Sequence, residues 1–164
     1  MNIWVDADSC PRRVREIVIR AAERTGARAV FVANRRIPTG RMKGYRMRVV
    51  ADADREIVER VGDADLVVTR DIPLAAQLVK RGITVLNDRG TIYTNENVGE
   101  RLSWRDFMAE LRERGTYIPE QDRLDESDIR EFANSLDREL RRRNPRGGNA
   151  SGGNASGGNA SGRE

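Results

Sequence analysis

Short apolar segments alternate with amphipathic segments through the first half of this 164-residue chain, and this alternation constrains the fold more than any other feature. The predicted strands are residues 2–6, 29–33, 47–50, 66–69 and 83–86. The predicted helices between them are residues 11–24, 54–61 and 72–81. Strands that alternate with helices are typical of a parallel sheet that is covered on both faces. We therefore predict an α/β fold, a three-layer α/β/α sandwich around a mostly parallel sheet of about five strands.

Beyond the fifth predicted strand the signals are those of helices, so C-terminal helices complete the predicted domain. Thr94 and Ser103 are predicted N-caps, and the second of them opens a helix that ends before Gly115. A linker follows, and a last amphipathic helix is predicted to begin at Ser127 or Asp128.

The composition changes at residue 144, where the helical pattern ends. Gly-Gly-Asn-Ala-Ser occurs three times between residues 147 and 161. Repeats of small polar residues are typical of flexible segments. We predict a folded domain over residues 1–143 and a disordered tail over residues 144–164.

The chain contains no histidine, and this absence excludes several classes of enzyme. Ser-His-Asp and Cys-His nucleophiles and most zinc sites all need an imidazole. Carboxylates are plentiful instead, and their hard oxygens favour Mg²⁺ or Mn²⁺. A single cysteine is consistent with a reducing compartment. No apolar run is long enough for a membrane span and no signal-peptide pattern is present, so we expect a cytoplasmic protein without a membrane partner.

Acidic residues recur where the predicted strands end. The first strand runs directly into Asp6 and Asp8, and Ser9 is predicted to cap the helix that follows. The other acidic residues at strand ends are Asp52 and Asp54, Asp71, and Asp88. Because the carboxyl ends of parallel strands share one edge of a sheet, we expect these groups to converge there. Helix N-capping is the alternative interpretation for Asp54 and Asp71.

Three further residues near these motifs are given structural roles. Asp63 and Asp65 precede a strand, so we assign them to turns at the opposite edge of the sheet. Cys10 lies near a predicted helix start, where the pKa of a thiol is lowered. The nearby aspartates oppose that effect, and we favour a packed, inert cysteine over a nucleophile.

A basic segment lies between the second and third predicted strands. Residues 27–50 contain seven basic residues and no acidic residue. Arginine binds phosphate groups in bidentate fashion, and an aromatic ring within such a segment can stack on a base. The candidate nucleic-acid ligands are Arg35, Arg36, Arg41, Lys43 and Tyr45. The alternative interpretation is a solvated basic loop.

The chain resembles the YaiI/YqxD family from residue 1 to about residue 142. The motifs that carry the resemblance are WVDADSCP at 4–11, VAN at 32–34, DAD at 52–54, DLVVTRDIPLA at 65–75, TNEN at 94–97 and RDFM at 105–108. This family is grouped with PIN-like nucleases, which hydrolyse RNA with Mg²⁺ or Mn²⁺ held by clustered acids. The resemblance implies that Asp6 and Asp71 are metal ligands, with Asp8 and Asp54 as further ligands or groups that orient water.

The leading hypothesis is therefore a metal-dependent hydrolase that cleaves RNA. In this hypothesis cations held by the aspartates polarise a phosphodiester and generate a hydroxide nucleophile, while the basic segment holds backbone phosphates. The first alternative is a non-catalytic RNA-binding or regulatory module with a PIN-like fold. A less favoured alternative is an aspartyl phosphatase, because Asp6-Ala7-Asp8 after the first strand resembles the nucleophile motif of haloacid dehalogenases.

Overall fold

The computed structural model describes residues 1–38, 43–117 and 123–143. Arg41, part of the predicted linker and the predicted tail lie outside the described residues. The strands are β1 (Asn2–Asp6), β2 (Arg28–Ala33), β3 (Tyr45–Val49), β4 (Leu66–Val68) and β5 (Thr84–Leu86). The helices are α1 (Arg12–Thr25), α2 (Ala53–Arg60), α3 (Ile72–Lys80), α4 (Asn95–Glu113) and α5 (Glu126–Arg143). Within these ranges no helix combines the length and the apolar composition that crossing a membrane requires.

In the described part of the chain, five strands form one parallel sheet in the order β3-β2-β1-β4-β5. This confirms the predicted α/β fold and the predicted number of strands. The chain builds outward from β1 through β2 to β3, then returns to pair β4 with the other side of β1. The connection that follows β1 therefore runs toward β2, and the connection that follows β4 runs toward β5 on the opposite side. Open α/β sheets bind ligands at the point between two such strands.

Alternate residues of the strands pack into separate hydrophobic clusters on the two faces of the sheet. On one face Ile3, Val5 and Phe31 pack against α1 and α5. On the other face Trp4 and Val67 pack against α2 and α3, with α4 lying against α3. Since the sheet is covered by helices on both faces, the strands are apolar at nearly every position. The three-layer α/β/α sandwich is thereby confirmed.

The predicted helix start at Ser103 is wrong, because α4 is one continuous helix through that position. Thr94 caps it, and a reciprocal capping box joins the side chain of Thr94 to the N–H of Asn97 and the side chain of Asn97 to the N–H of Thr94. Ser103 Oγ donates to the carbonyl of Gly99 at 3.1 Å. A serine inside a helix can satisfy its hydroxyl in this way, so a serine alone does not mark a helix start.

The predicted cap at Ser9 is also wrong. The N-cap residue of α1 is Pro11, which makes no side-chain hydrogen bond. Ser9 Oγ instead donates to Asp6 Oδ2 at 2.6 Å. A hydroxyl that donates to a carboxylate forms a charge-assisted hydrogen bond, which is stronger than a neutral cap. The last helix begins at Glu126, slightly earlier than predicted, because Asp125 and Asp128 accept hydrogen bonds from each other's N–H groups.

Asp65 connects the turn before β4 to the amino-terminal end of β1. Its carboxylate accepts hydrogen bonds from the N–H of Asn2 at 2.7 Å, the indole of Trp4 at 2.9 Å and the N–H of Gly62 at 3.2 Å. Burial by itself would raise the pKa of Asp65, but these hydrogen bonds outweigh it and hold the pKa below its ordinary value. The predicted turn role at the edge opposite the acidic residues is correct.

We expect Asp65→Asn to lower the free energy of unfolding at neutral pH by about 2 kcal/mol, since it removes charge-assisted hydrogen bonds. A depressed pKa stabilises the fold above the unfolded pKa of about 4, and this contribution is lost as pH falls through the folded value. The difference between wild type and variant should therefore shrink below about pH 4. Chemical denaturation at several pH values measures it, with exposed Asp63→Asn as the control. A difference that is independent of pH would contradict this interpretation.

Gly90 allows the turn after β5 to lie directly against the backbone of α5. Its φ is 84°, and a Cβ there would lie 2.6 Å from the carbonyl oxygen of Glu131 and 2.9 Å from the nitrogen of Phe132. Gly82 has a similar φ of 78° with nothing within 4 Å of a Cβ. The two glycines therefore share backbone strain on substitution, while only Gly90 adds a backbone clash.

We expect Gly82→Ala to cost about 1 kcal/mol of stability from the left-handed conformation alone. Gly90→Ala should cost about 2 kcal/mol more, because α5 has to move away from the turn. Urea denaturation of both variants measures the difference. Equal losses would show that the turn and α5 separate without cost.

Candidate active site

An open cavity of about 630 Å³ lies at the carboxyl ends of β1 and β4, where the connections leave in opposite directions. Its lining residues are Asp6, Asp8, Ser9, Asn34, Asp52, Ala53, Asp54, Arg70 and Asp71. All candidate catalytic residues from the sequence (Asp6, Asp8, Asp54 and Asp71) are brought together here. Asp88 does not line the cavity.

Asp6 is the buried carboxylate of this cavity and is held on both sides by hydroxyl groups. Its Oδ2 accepts hydrogen bonds from Ser9 Oγ at 2.6 Å and from Thr69 Oγ1 at 2.8 Å. Thr69 Oγ1 in turn accepts from the N–H of Asp71 at 2.9 Å. This chain of hydrogen bonds links the end of β1 to the start of α3, so the relative position of Asp6 and Asp71 is fixed by the protein.

Asp71 and Asp8 each use one carboxylate oxygen to organise a neighbouring backbone segment. Asp71 caps α3, because its Oδ1 accepts the N–H of Leu74 at 2.7 Å. Asp8 Oδ2 accepts the N–H of Asn34 at 2.5 Å. As for Asp6, the second oxygen of each carboxylate accepts no hydrogen bond from the residues that the structure describes. Capping and a cavity-facing oxygen therefore coexist in Asp71.

Asp52, and not Asp54, is the N-cap residue of α2. The Asp52 side chain accepts the N–H of Arg55 at 3.0 Å, and Asn34 Oδ1 accepts the N–H of Ala53 at 2.9 Å. The helix start is thus satisfied without Asp54, whose carboxylate stays in the cavity. The capping alternative is wrong for Asp54 and correct for Asp71.

Negative charge accumulates around Asp54. Desolvation in the cavity, and then repulsion from Asp71, Asp6, Asp52 and Asp8, raise the pKa of Asp54 to about 6. Such repulsion is unfavourable in the protein alone, and a cation would relieve it. Even so, among the described residues no three carboxylate or thiol side chains are grouped closely enough to hold one metal ion as they stand.

Arg70 brings positive charge to the wall of this acidic cavity. Its Nε lies 3.2 Å from Oδ2 of Asp88, a buried carboxylate beyond the end of β5. Buried Asp88 thus contacts the cavity through Arg70 and is not itself a lining residue. The sequence motif around Asp71 contains Arg70, but nothing in the pattern indicated this pairing.

Ser9, Thr69, Asn34 and Arg15 also organise the site, and sequence reasoning missed them in these roles. The Arg15 guanidinium donates to the carbonyls of Ala7 at 3.2 Å and Cys10 at 2.8 Å, which fixes the segment that carries the β1 carboxylates. Their position in the sequence could have indicated these roles, because Ser9 follows β1 and Thr69 follows β4, each near an acidic residue.

Cys10 is buried under this segment, and its burial raises the pKa of the thiol above its ordinary value. The thiol is therefore neutral at physiological pH, as expected for a packed, inert cysteine.

The predicted nucleic-acid ligands are not among the residues that line the acidic cavity. Arg35, Arg36 and Lys43 are exposed, and none of them lines the acidic cavity. Tyr45 belongs to β3 and not to the predicted loop, and its ring packs edge-on against Phe31 with centroids 5.2 Å apart. Together with Arg36 it borders a separate cavity of about 250 Å³ on the α1 face. The contact of these residues with nucleic acid stays a prediction.

Comparison with known proteins identifies the family. Residues 4–142 match the family described as "Uncharacterized BCR, YaiI/YqxD family". The chain belongs to the YaiI/YqxD family. Its relatives include a UPF0178 protein of Vibrio cholerae serotype O1, 47% identical over 147 residues that cover 87% of this chain and 99% of the relative. A UPF0178 protein of Myxococcus xanthus is 48% identical over 147 residues, covering 87% of this chain and 95% of the relative. No solved structure matches the chain.

We expect Asp54→Asn to stabilise the protein in buffer that contains a metal chelator at pH 7.5. The substitution removes a charge that its neighbours repel, and screening at this exposed site limits the gain to about 1 kcal/mol or less. The matched control is Asp63→Asn, an exposed turn aspartate outside the cavity. Thermal unfolding measures both variants. An Asp54→Asn protein that is less stable than wild type would contradict the repulsion.

Proposed function

We propose that this protein is a Mg²⁺- or Mn²⁺-dependent nuclease that acts on RNA through its clustered aspartates. The observation that supports it is the convergence of Asp6, Asp8, Asp54 and Asp71 in one open cavity at the sheet edge where α/β folds bind ligands. These carboxylates repel one another, and this cost is consistent with a site that a cation completes.

The donor set fits a hard divalent cation. One carboxylate oxygen accepts a hydrogen bond within the protein in each of Asp6, Asp8 and Asp71. The other oxygen of each carboxylate is available to a ligand. Asp6 and Asp71 are the proposed principal ligands, with Asp8 and Asp54 as further ligands or groups that orient water. Binding has to draw Asp8 and Asp54 toward the fixed pair Asp6 and Asp71, since the described residues do not form a ready-made cage. A bound divalent cation supplies Lewis-acid polarisation of the phosphodiester and lowers the pKa of water.

The other residues of the cavity have supporting roles in this proposal. Ser9 and Thr69 hold the Asp6 carboxylate in one orientation, so less reorganisation is needed when a ligand binds. Arg70, fixed through Asp88, places a positive charge where a phosphate enters and offsets the repulsion between phosphate and aspartates. Asp8 and Asp54 are exposed to solvent, so a polynucleotide can reach this part of the cavity.

A non-catalytic RNA-binding module is the second candidate. The observation in its favour is the spacing of the carboxylates, because no three of them among the described residues form a cage for an ion. In that case the cavity aspartates serve recognition or are retained without chemistry. Tight RNA binding without cleavage in Mg²⁺, Mn²⁺ and other divalent cations would distinguish this candidate.

The proposal predicts that wild-type protein cleaves an end-labelled single-stranded RNA in Mn²⁺ and not in EDTA. Asp6→Asn and Asp71→Asn should each lower the cleavage rate at least 100-fold, because both substitutions remove a charged ligand. Asparagine is also a good N-cap, so the Asp71 variant keeps α3 intact. Asp63→Asn should cleave normally.

Cleavage that persists in EDTA, or in the Asp6→Asn protein, would overturn the proposal. Cleavage in EDTA would show that no divalent cation is needed, and cleavage by the Asp6→Asn protein would show that this carboxylate is dispensable. Either result would point to a contaminating nuclease or to another mechanism. Thermal unfolding of each variant, measured alongside, shows that the loss of rate does not arise from loss of the fold.

A further inference from the structure

An arginine-lined groove of about 660 Å³ lies on the same face of the sheet as α2, away from the acidic cavity. We call it the arginine groove. Its lining residues are Asn2, Trp4, Arg28, Val30, Arg46, Met47, Arg48, Glu59 and Arg60. It shares no lining residue with the acidic cavity.

The strand register creates this groove. Parallel pairing places Trp4, Val30 and Arg46 in one row across β1, β2 and β3, and Arg28 lies beside Asn2 at the amino-terminal edge. On this face the helix that lies over β1 and β2 is α2, which has only 8 residues. At the amino-terminal part of these strands Arg28 and Arg46 are exposed beside the buried Trp4 and Val30, and the last residues of α2, Glu59 and Arg60, form one wall of the groove.

The groove keeps an excess of positive charge. Arg48 and Arg60 both bind the single carboxylate of Glu56, with Arg48 Nε at 2.6 Å. Arg28 and Arg46 are exposed, and neither forms an ion pair with any residue that the structure describes. Unpaired guanidinium groups along a concave surface are suited to bind phosphate oxygens in bidentate fashion.

The helix α2 connects the two sites. Its amino-terminal end, at Asp52 and Asp54, borders the acidic cavity, and its carboxyl-terminal end at Arg60 borders the arginine groove. An eight-residue helix is about 12 Å long. A nucleic-acid strand of a few nucleotides with one phosphate in the cavity can therefore reach the groove along α2 and β3.

The acidic cavity itself repels a polyanion, so binding energy for RNA has to come from positive groups outside it. The net charge of +4, despite the aspartates gathered in the cavity, means that basic groups dominate other surfaces. We propose that the arginine groove binds backbone phosphates of the single-stranded RNA that enters the acidic cavity, with Arg28 and Arg46 as the principal contacts. This inference rests on the proposed function for the identity of its ligand.

The test is RNA binding by Arg28→Ala/Arg46→Ala, measured by fluorescence anisotropy with a labelled twelve-nucleotide oligouridylate in EDTA. The chelator prevents metal-dependent cleavage, so binding is observed alone. We expect affinity at least tenfold weaker than wild type at low salt. The slope of log affinity against log salt should fall by about 1.4, since each phosphate contact on a single strand contributes about 0.7.

The matched control is Arg20→Ala/Arg141→Ala, which removes the same charge from exposed positions on α1 and α5, across the sheet from the groove. This control should bind within twofold of wild type. Equal weakening of both double variants would overturn the inference, because net charge would then explain the binding. Normal binding by the groove variant, or no RNA binding by wild type, would also overturn it.

The cleavage assay separates this inference from the proposed function. If wild type cleaves RNA and Arg28→Ala/Arg46→Ala binds RNA normally, the nuclease proposal stands and the role of the arginine groove is contradicted. If Arg28→Ala/Arg46→Ala binds RNA more weakly but wild type does not cleave it, RNA binding by the arginine groove is supported and the nuclease proposal is contradicted.

Discussion

The central position of β1 in the parallel sheet is the constraint on which the site depends. Because β1 pairs with β2 on one side and β4 on the other, the carboxyl ends of all three strands meet at one edge. The hydrogen bonds that join Thr69 to Asp6 and to the backbone of Asp71 fix the alignment of that edge. Residues 63 positions apart in the chain, Asp6 and Thr69, thereby become neighbours without any cross-link.

Charge is distributed unevenly around this edge, and α2 lies between the extremes. Aspartates collect at its amino-terminal end, where N–H groups and the helix dipole partly offset their negative charge. Arginines collect at its carboxyl-terminal end, which has the opposite polarity. A short helix thus separates an acidic surface from a basic surface, and both surfaces are built on the same sheet.

Sequence reasoning was most successful where strand order did not matter. That Asp6, Asp8, Asp54 and Asp71 share one edge of the sheet follows from parallel strands alone, whereas their meeting in one cavity also depends on β1 lying beside β4. The errors at Ser9 and Ser103 have a local cause, because a serine hydroxyl serves a carboxylate or a carbonyl as readily as a helix start. The arginine groove, by contrast, depends on the register between strands as well as on the short length of α2. The sequence pattern predicts the short helix but does not specify the register.

Fully buried Phe132, Leu136 and Leu140 of α5 pack with α1 and the first strands into one hydrophobic cluster. The residues that close this cluster are therefore among the last of the domain to be synthesised. A nascent chain that ends before residue 126 would expose the apolar side of α1 and of the sheet to water. We expect such a chain to remain a target for chaperones on the ribosome until the final helix emerges.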